Sequence, residues 1–244
     1  RLENIDNYTF NIEPLIELNL RENELAYLLN DAFAGARNLK VLDLSYNSIS
    51  MINPNIFTSL HSLSELLLSN NKLNNQSFST QGETSIDLSI ENLKVLDLSY
   101  NRIYYDQVMP YQSFAGLKKL EVLKLQHNNI TLDYGAFASN PQLRTLDISY
   151  NSIPYFELDF LLSVQSLQNL YLNGNGISYA SQIDLTDIRS SFPALSSIGV
   201  SNNKFACEVL ASMIRKFDKV KIDLVVERED FVNDARNLRG IKCH

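Results

Sequence analysis

An α/β solenoid is the fold class this chain predicts: a horseshoe of short repeats with a parallel β-sheet on its concave face and a disulfide-stapled C-terminal cap. Three observations lead there. A motif of the form LxxLxLxxNxL recurs eight times, opening at Leu15, Leu39, Leu63, Leu93, Leu120, Leu143, Leu167 and Leu195 with a spacing of 23 to 30 residues. Units that short cannot bury an apolar side alone, so they must stack on their neighbours. The only two cysteines, Cys207 and Cys243, both follow the last copy.

The strand comes first in each unit. Apolar positions 4 and 6 of the motif alternate with polar positions 3, 5 and 7, the period of a short strand buried on one face. Leu18 and Leu20 in the first copy, and their equivalents through Ile198 and Val200, are expected to point inward. Position 9 is asparagine in all eight copies, from Asn23 to Asn203. The chain leaves the ladder there, and a carboxamide offers both a donor and an acceptor to the adjoining turns. A row of phenylalanines, Phe33, Phe57, Phe114, Phe137, Phe160 and Phe192, falls in the return segments and reads as a core spine. Three repeats run long, at residues 74–90, 104–112 and 178–191. Insertions map to loops, which either carry function or are tolerated slack.

The ends differ from the middle. Leu2, Ile5 and Phe10 match the spacing of Leu25, Leu28 and Phe33, so the chain opens within a repeat. Its strand and N-terminal cap are expected upstream or removed. Residues 1–205 are read as repeats, a partial first unit plus eight strand motifs, and residues 206–244 as a capping module. The cysteines lack CxxC spacing for zinc and are expected to pair, a closure worth about 4 kcal/mol in an oxidising compartment. Sequons at Asn7, Asn75 and Asn129 fall outside the strands, where glycans can project. Secretion, or the extracellular face of the cell surface, is the expected setting.

Several function classes are disfavoured. A net charge of −7 opposes the basic footprint of a nucleic-acid binder. Apolar runs are only strand-length, so no membrane insertion is expected. His61, His127 and His244 do not fall beside a serine–aspartate or cysteine partner among periodic neighbours, so the chain does not read as an enzyme. Asp43, Asp97 and Asp147 share a column, but Leu67 and Lys124 interrupt it, which argues against a calcium cage. No metal or cofactor is expected.

A concave surface can be written out as columns, because equivalent positions of adjacent repeats become neighbours. Position 5 places Lys124 between Asp97 and Asp147, either a self-satisfied ion cluster of little energetic value or a polar anchor for a ligand. Position 8 places Tyr100, His127 and Tyr150 in succession, with Tyr171 close by. Tyrosine combines large contact area with a polar tip and few rotamers, as at interface hot spots. It is also compatible with a merely tolerated, half-exposed consensus position. These seven residues form the expected contact surface for a protein partner, over repeats four to seven.

With its phenylalanine return segments, the motif resembles the extracellular, typical-class leucine-rich repeat family over roughly residues 2–205. The tail is similar to the caps of arthropod secreted leucine-rich repeat proteins, including mosquito leucine-rich immune proteins. It opens at Asn203 to Cys207, continues through Val209, Leu210, Met213, Ile214 and Phe217 on an amphipathic helix, and closes at Cys243. That resemblance implies innate immune recognition, with the repeats binding complement-like or other effector proteins. The expected function is thus a non-catalytic secreted binding module. The alternatives are the ectodomain of an adhesion or signalling receptor and an inhibitor of a secreted hydrolase. Nothing in the pattern specifies an oligomeric state.

Overall fold

The computed structural model describes residues 1–78, 86, 88, 90–104, 109–110, 112–132, 134–178, 188–228, 230–233 and 235–244. Each motif copy supplies one three-residue strand: β1 Glu17–Asn19, β2 Val41–Asp43, β3 Glu65–Leu67, β4 Val95–Asp97, β5 Val122–Lys124, β6 Thr145–Asp147, β7 Asn169–Tyr171 and β8 Ser197–Gly199. They pair in sequence order, all parallel and without register slip, so that Leu42 lies opposite Leu66 and Leu123 opposite Leu146. Slip is opposed because moving one residue along would turn every buried leucine outward.

Motif position 4 is buried from Leu42 to Ile198, and position 6 from Leu20 to Val200. Leu18 is the departure: it lies on the edge strand and is only partly buried. All six phenylalanines of the spine are buried, with Phe114 and Phe137 stacked at 6.0 Å between ring centroids. The asparagines behave as their position requires. Asn47 Nδ2 donates to the carbonyls of Leu20 and Leu44 at 3.0 Å each, and its Oδ1 accepts from Leu25 N at 3.0 Å. One side chain thereby ties two consecutive turns together.

Three features depart from the sequence reading. The sheet has a ninth strand, β9 Asp223–Val225, which adds parallel to β8 with Leu224 opposite Ile198. Helix is scarce among the described residues: α1 Ile188–Ser191, α2 Cys207–Lys219 and single 3-10 turns at Pro54–Phe57 and Leu158–Leu161. A return segment in a unit this short has too few residues for a longer helix, so most return as turns. The long third repeat is not only a polar loop, since Phe78, Ile86, Leu88 and Ile90 are buried in the core. The rest of that insertion, residues 79–85, 87 and 89, lies outside the described residues, as do 105–108 and 111 of the second insertion and 179–187 of the third.

The C-terminal end is closed by α2, β9 and a small antiparallel pair, β10 Asn237–Leu238 with β11 Ile241–Lys242. Leu210, Met213, Ile214 and Phe217 form the buried face of α2, with Val209 partly buried beside them. Cys207 and Cys243 are joined by a disulfide, their Cα atoms 4.8 Å apart. Arg189 staples the last repeat to the end of α2. It donates to Val220 O at 2.8 Å, Leu195 O at 2.6 Å and Lys221 O at 2.8 Å. Charge-assisted bonds to otherwise unpaired carbonyls are the stronger kind, so Arg189→Ala is expected to destabilise the cap by about 2 to 4 kcal/mol in urea unfolding. A loss below about 0.5 kcal/mol would mean that water replaces the guanidinium at little cost.

Candidate functional site

Position 8 of every motif has left-handed backbone. Glu22, Tyr46, Asn70, Tyr100, His127, Tyr150 and Asn202 have φ between 53° and 59°, and Gly174 has 64°. Glycine and asparagine enter that region cheaply, whereas a bulky aromatic there is uncommon and costs about 1 to 2 kcal/mol. Three consecutive repeats nevertheless carry Tyr100, His127 and Tyr150 in this slot.

Their side chains stand side by side. The Tyr100 and His127 rings are 4.1 Å apart between centroids and tilted by 15°, and His127 and Tyr150 are 4.4 Å apart and tilted by 7°. The next position is Gly174, and a Cβ there would lie 2.3 Å from Tyr150 Cδ1. A glycine is therefore required where the last ring turns over the following strand.

The end of the ladder is covered by a segment that the repeats do not contain. Beyond β9 the chain crosses to the concave side, where Asp230 meets Tyr150 and Asn202. The Tyr150 hydroxyl donates to Asp230 Oδ1, and Asn202 Nδ2 donates both to that oxygen and to the Tyr150 hydroxyl. Burial, then the Asp230 bond, pushes the Tyr150 phenol up to about 12. In an unfolded chain it would ionise near 10, so the native state holds its proton more tightly. Its contribution is fully present below about 10 and is lost as pH rises from about 10 to about 12. Asp230 is 1% exposed, and its Oδ2 has no hydrogen-bond partner.

Between the ladder and this segment lies a cavity of about 400 Å³. Tyr100, His127 and Tyr150 form one wall, Gln126, Asp147 and Ser149 the floor, and Asn202, Glu227 and Asp230 the cap side. Burial raises the Asp147 carboxyl above the usual carboxylate range, opposed by the Ser149 N–H, which donates to it at 3.0 Å, and by the nearby Lys124. Position 5 is an asymmetric cluster. Lys124 approaches Asp97 at 3.9 Å, and Asp97 also accepts from the Ser99 hydroxyl at 2.6 Å.

Of the seven residues expected at the contact surface, four line or floor the cavity: Tyr100, His127, Asp147 and Tyr150. Asp97 and Lys124 pair just beside it. Tyr171 is half-buried, in register with Asp147, and does not line the cavity. Glu227 and Asp230 were not expected from the sequence. Their one signal is the acidic run that follows the alternating segment 220–226. Of the sequons, Asn7 and Asn129 are exposed and Asn75 is half-buried. Among the described residues, no group of three His, Cys, Asp or Glu side chains is placed to hold a metal ion. No helix among them is long and apolar enough to cross a membrane.

Comparison with known proteins places the class. The "Leucine rich repeat" family profile matches residues 13–73 and 88–130, and a two-copy profile of the same repeat matches 118–160. Human lumican is 30% identical over 214 residues, 84% of this chain and 58% of its own. A leucine-rich repeat protein of Leptospira interrogans superposes with a TM-score of 0.73 at 21% identity, covering 93% of this chain and 52% of its own. TLR13, solved in complex with ssRNA13, gives a TM-score of 0.57 at 23% identity over 91% of this chain and 38% of its own. Identities that low speak to fold alone. The chain is a leucine-rich repeat protein, homologous to secreted, non-enzymatic members such as lumican. Those relatives point to an extracellular setting. The chain spans about half the length of the curated relatives it matches.

Proposed function

We propose that this chain is a non-catalytic extracellular module that binds a protein partner on its concave face, over repeats four to seven, in innate immune recognition. The observation that carries the site is the Tyr100–His127–Tyr150 stack, held on unfavourable left-handed backbone beside a 400 Å³ cavity. Every repeat has this backbone at position 8, and only here do three consecutive repeats carry stacked rings on it. Stacked aromatics are also pre-organised, which lowers the ordering cost of binding. The immune assignment draws on the two-cysteine cap resembling arthropod secreted repeat proteins.

Tyr100→Asn and His127→Asn test this while suiting the left-handed backbone. Each variant is used as bait in native extracellular fluid beside the unaltered protein, and affinities for the captured protein are then measured. Loss of a hot-spot ring is expected to weaken binding by about 2 kcal/mol, roughly thirtyfold, with little change in melting temperature. Equal capture by both variants would move the partner off this face. Glycans on exposed Asn7 and Asn129 are expected from the same extracellular reading. A peptide-N-glycosidase treatment that leaves the mass of the secreted chain unchanged would remove that support.

A further inference from the structure

Among the described residues, the cavity beside the ladder is lined by three carboxylates, Asp147, Glu227 and Asp230, and by no lysine or arginine, with Lys124 near Asp147. One of these groups is buried with half its acceptor capacity unused: Asp230 is 1% exposed, and its Oδ2 lacks a partner. On the floor, Gln126 Oε1 is likewise buried without one. A carboxylate shielded from water and incompletely bonded is costly, and a cationic donor is what would relieve it.

The same chain shows how such a place is filled two repeats from its start. Asp43, Ser45 and Tyr46 are the counterparts of Asp147, Ser149 and Tyr150 in the motif. There the Arg21 guanidinium lies 4.0 Å from the Tyr46 ring centroid, and its Nη1 donates to Ser45 Oγ at 3.0 Å. Arg21 occupies position 7 of the repeat preceding Tyr46. The residue in that position before Tyr150 is Gln126, which is shorter and uncharged and whose oxygen is left as an unmet acceptor. In the first copy the protein supplies its own guanidinium over the Tyr46 ring; in the later one the His127 ring stacks on Tyr150, and no arginine among the described residues lines the cavity.

We propose that this cavity receives the guanidinium of an arginine side chain presented by the protein partner. Its planar fork of donors suits a lining of carboxylate and amide oxygens, supplied here by Asp147, Glu227, Asp230 and Gln126, with the stacked rings alongside. Lysine, a single compact charge, satisfies separated acceptors less well. The cavity has room for the side chain together with adjoining peptide. This inference rests on the concave-face reading above and names the chemistry of what docks there.

The test uses the full chain and three blocked tripeptides, acetyl-Gly-X-Gly-amide, with X arginine, lysine or the uncharged isostere citrulline. Binding is followed by NMR through the His127 ring signals. The arginine peptide is expected to give saturable shifts, with the lysine peptide weaker and citrulline inactive. Asp230→Asn and Glu227→Gln are each expected to weaken arginine binding about tenfold. Glu227 is exposed, so its variant reports on charge even if the Asp230 variant disturbs the cap. Citrulline or lysine binding as well as arginine, or no saturable shift at all, overturns the proposal. If capture of the partner is lost in Tyr100→Asn while no guanidinium-dependent binding is seen, this inference fails alone. Capture indifferent to the ladder sinks the broader reading and this one with it.

Discussion

The double variant Cys207→Ser, Cys243→Ser is expected to lose about 4 kcal/mol, the chain-entropy value for closing a loop of this length. The 36-residue separation encloses α2, β9 and the segment carrying Glu227 and Asp230. Stability in a repeat stack is a sum of local units and their interfaces, so the loss should not spread evenly. It should instead appear as a separate, earlier unfolding transition of the cap, with the repeats melting nearly as before. A second readout follows from the site. With Asp230 gone from its side, the Tyr150 phenol returns to water and its ionisation falls from about 12 toward the ordinary value of 10. Ultraviolet titration of tyrosine, compared with a Tyr150→Phe control, resolves this. A single melting transition unchanged by the substitutions would show that packing of α2 alone holds the cap.

What the sequence made legible, and what it hid, divides along one line. The strands, the asparagine row and the aromatic ladder follow from periodicity, because in a solenoid an offset of one repeat is an offset of one strand. Tyr100, His127 and Tyr150 are far apart in the chain and stacked in space for that reason. β9 was hidden because the segment 220–226 alternates in the strand period without the leucine and asparagine landmarks of the motif. Asp230 was hidden because it lies 80 residues from Tyr150 in a segment that repeats nothing. The left-handed backbone could have been read from position 8 itself. Asn70, Gly174 and Asn202 are residues that conformation favours, and their recurrence at one motif position is the signal.

Asn175→Ala is expected to cost about 3 kcal/mol or more, among the largest effects of a single polar substitution in the repeats. Its Nδ2 donates to Ile148 O at 3.0 Å, Leu172 O at 3.1 Å and Asn173 O at 3.3 Å. Its Oδ1 accepts from Asn151 N at 3.1 Å and Ile153 N at 3.4 Å. Truncation strands these backbone groups inside a fold where the residue is 6% exposed, and each buried orphan costs about 1 to 3 kcal/mol. Asn175→Asp provides the shape control. It keeps the acceptor but turns a buried charge toward carbonyl oxygens, so it should be no better than alanine. Asn23→Ala provides the positional control, since that half-buried carboxamide at the first turn donates to Leu20 O at 2.9 Å and accepts from the exposed Leu2 N at 2.8 Å, where water can replace it. A loss of about 1 kcal/mol or less is expected there. Urea midpoints for the three variants decide the matter: equal effects at positions 23 and 175 would mean that the asparagine row acts through local turn propensity. Unequal effects mean that it acts by joining repeats. In that case Asn175, through the Asn151 amide it holds, also fixes the turn that carries Tyr150, and its loss should abolish partner capture along with the cap-side cavity.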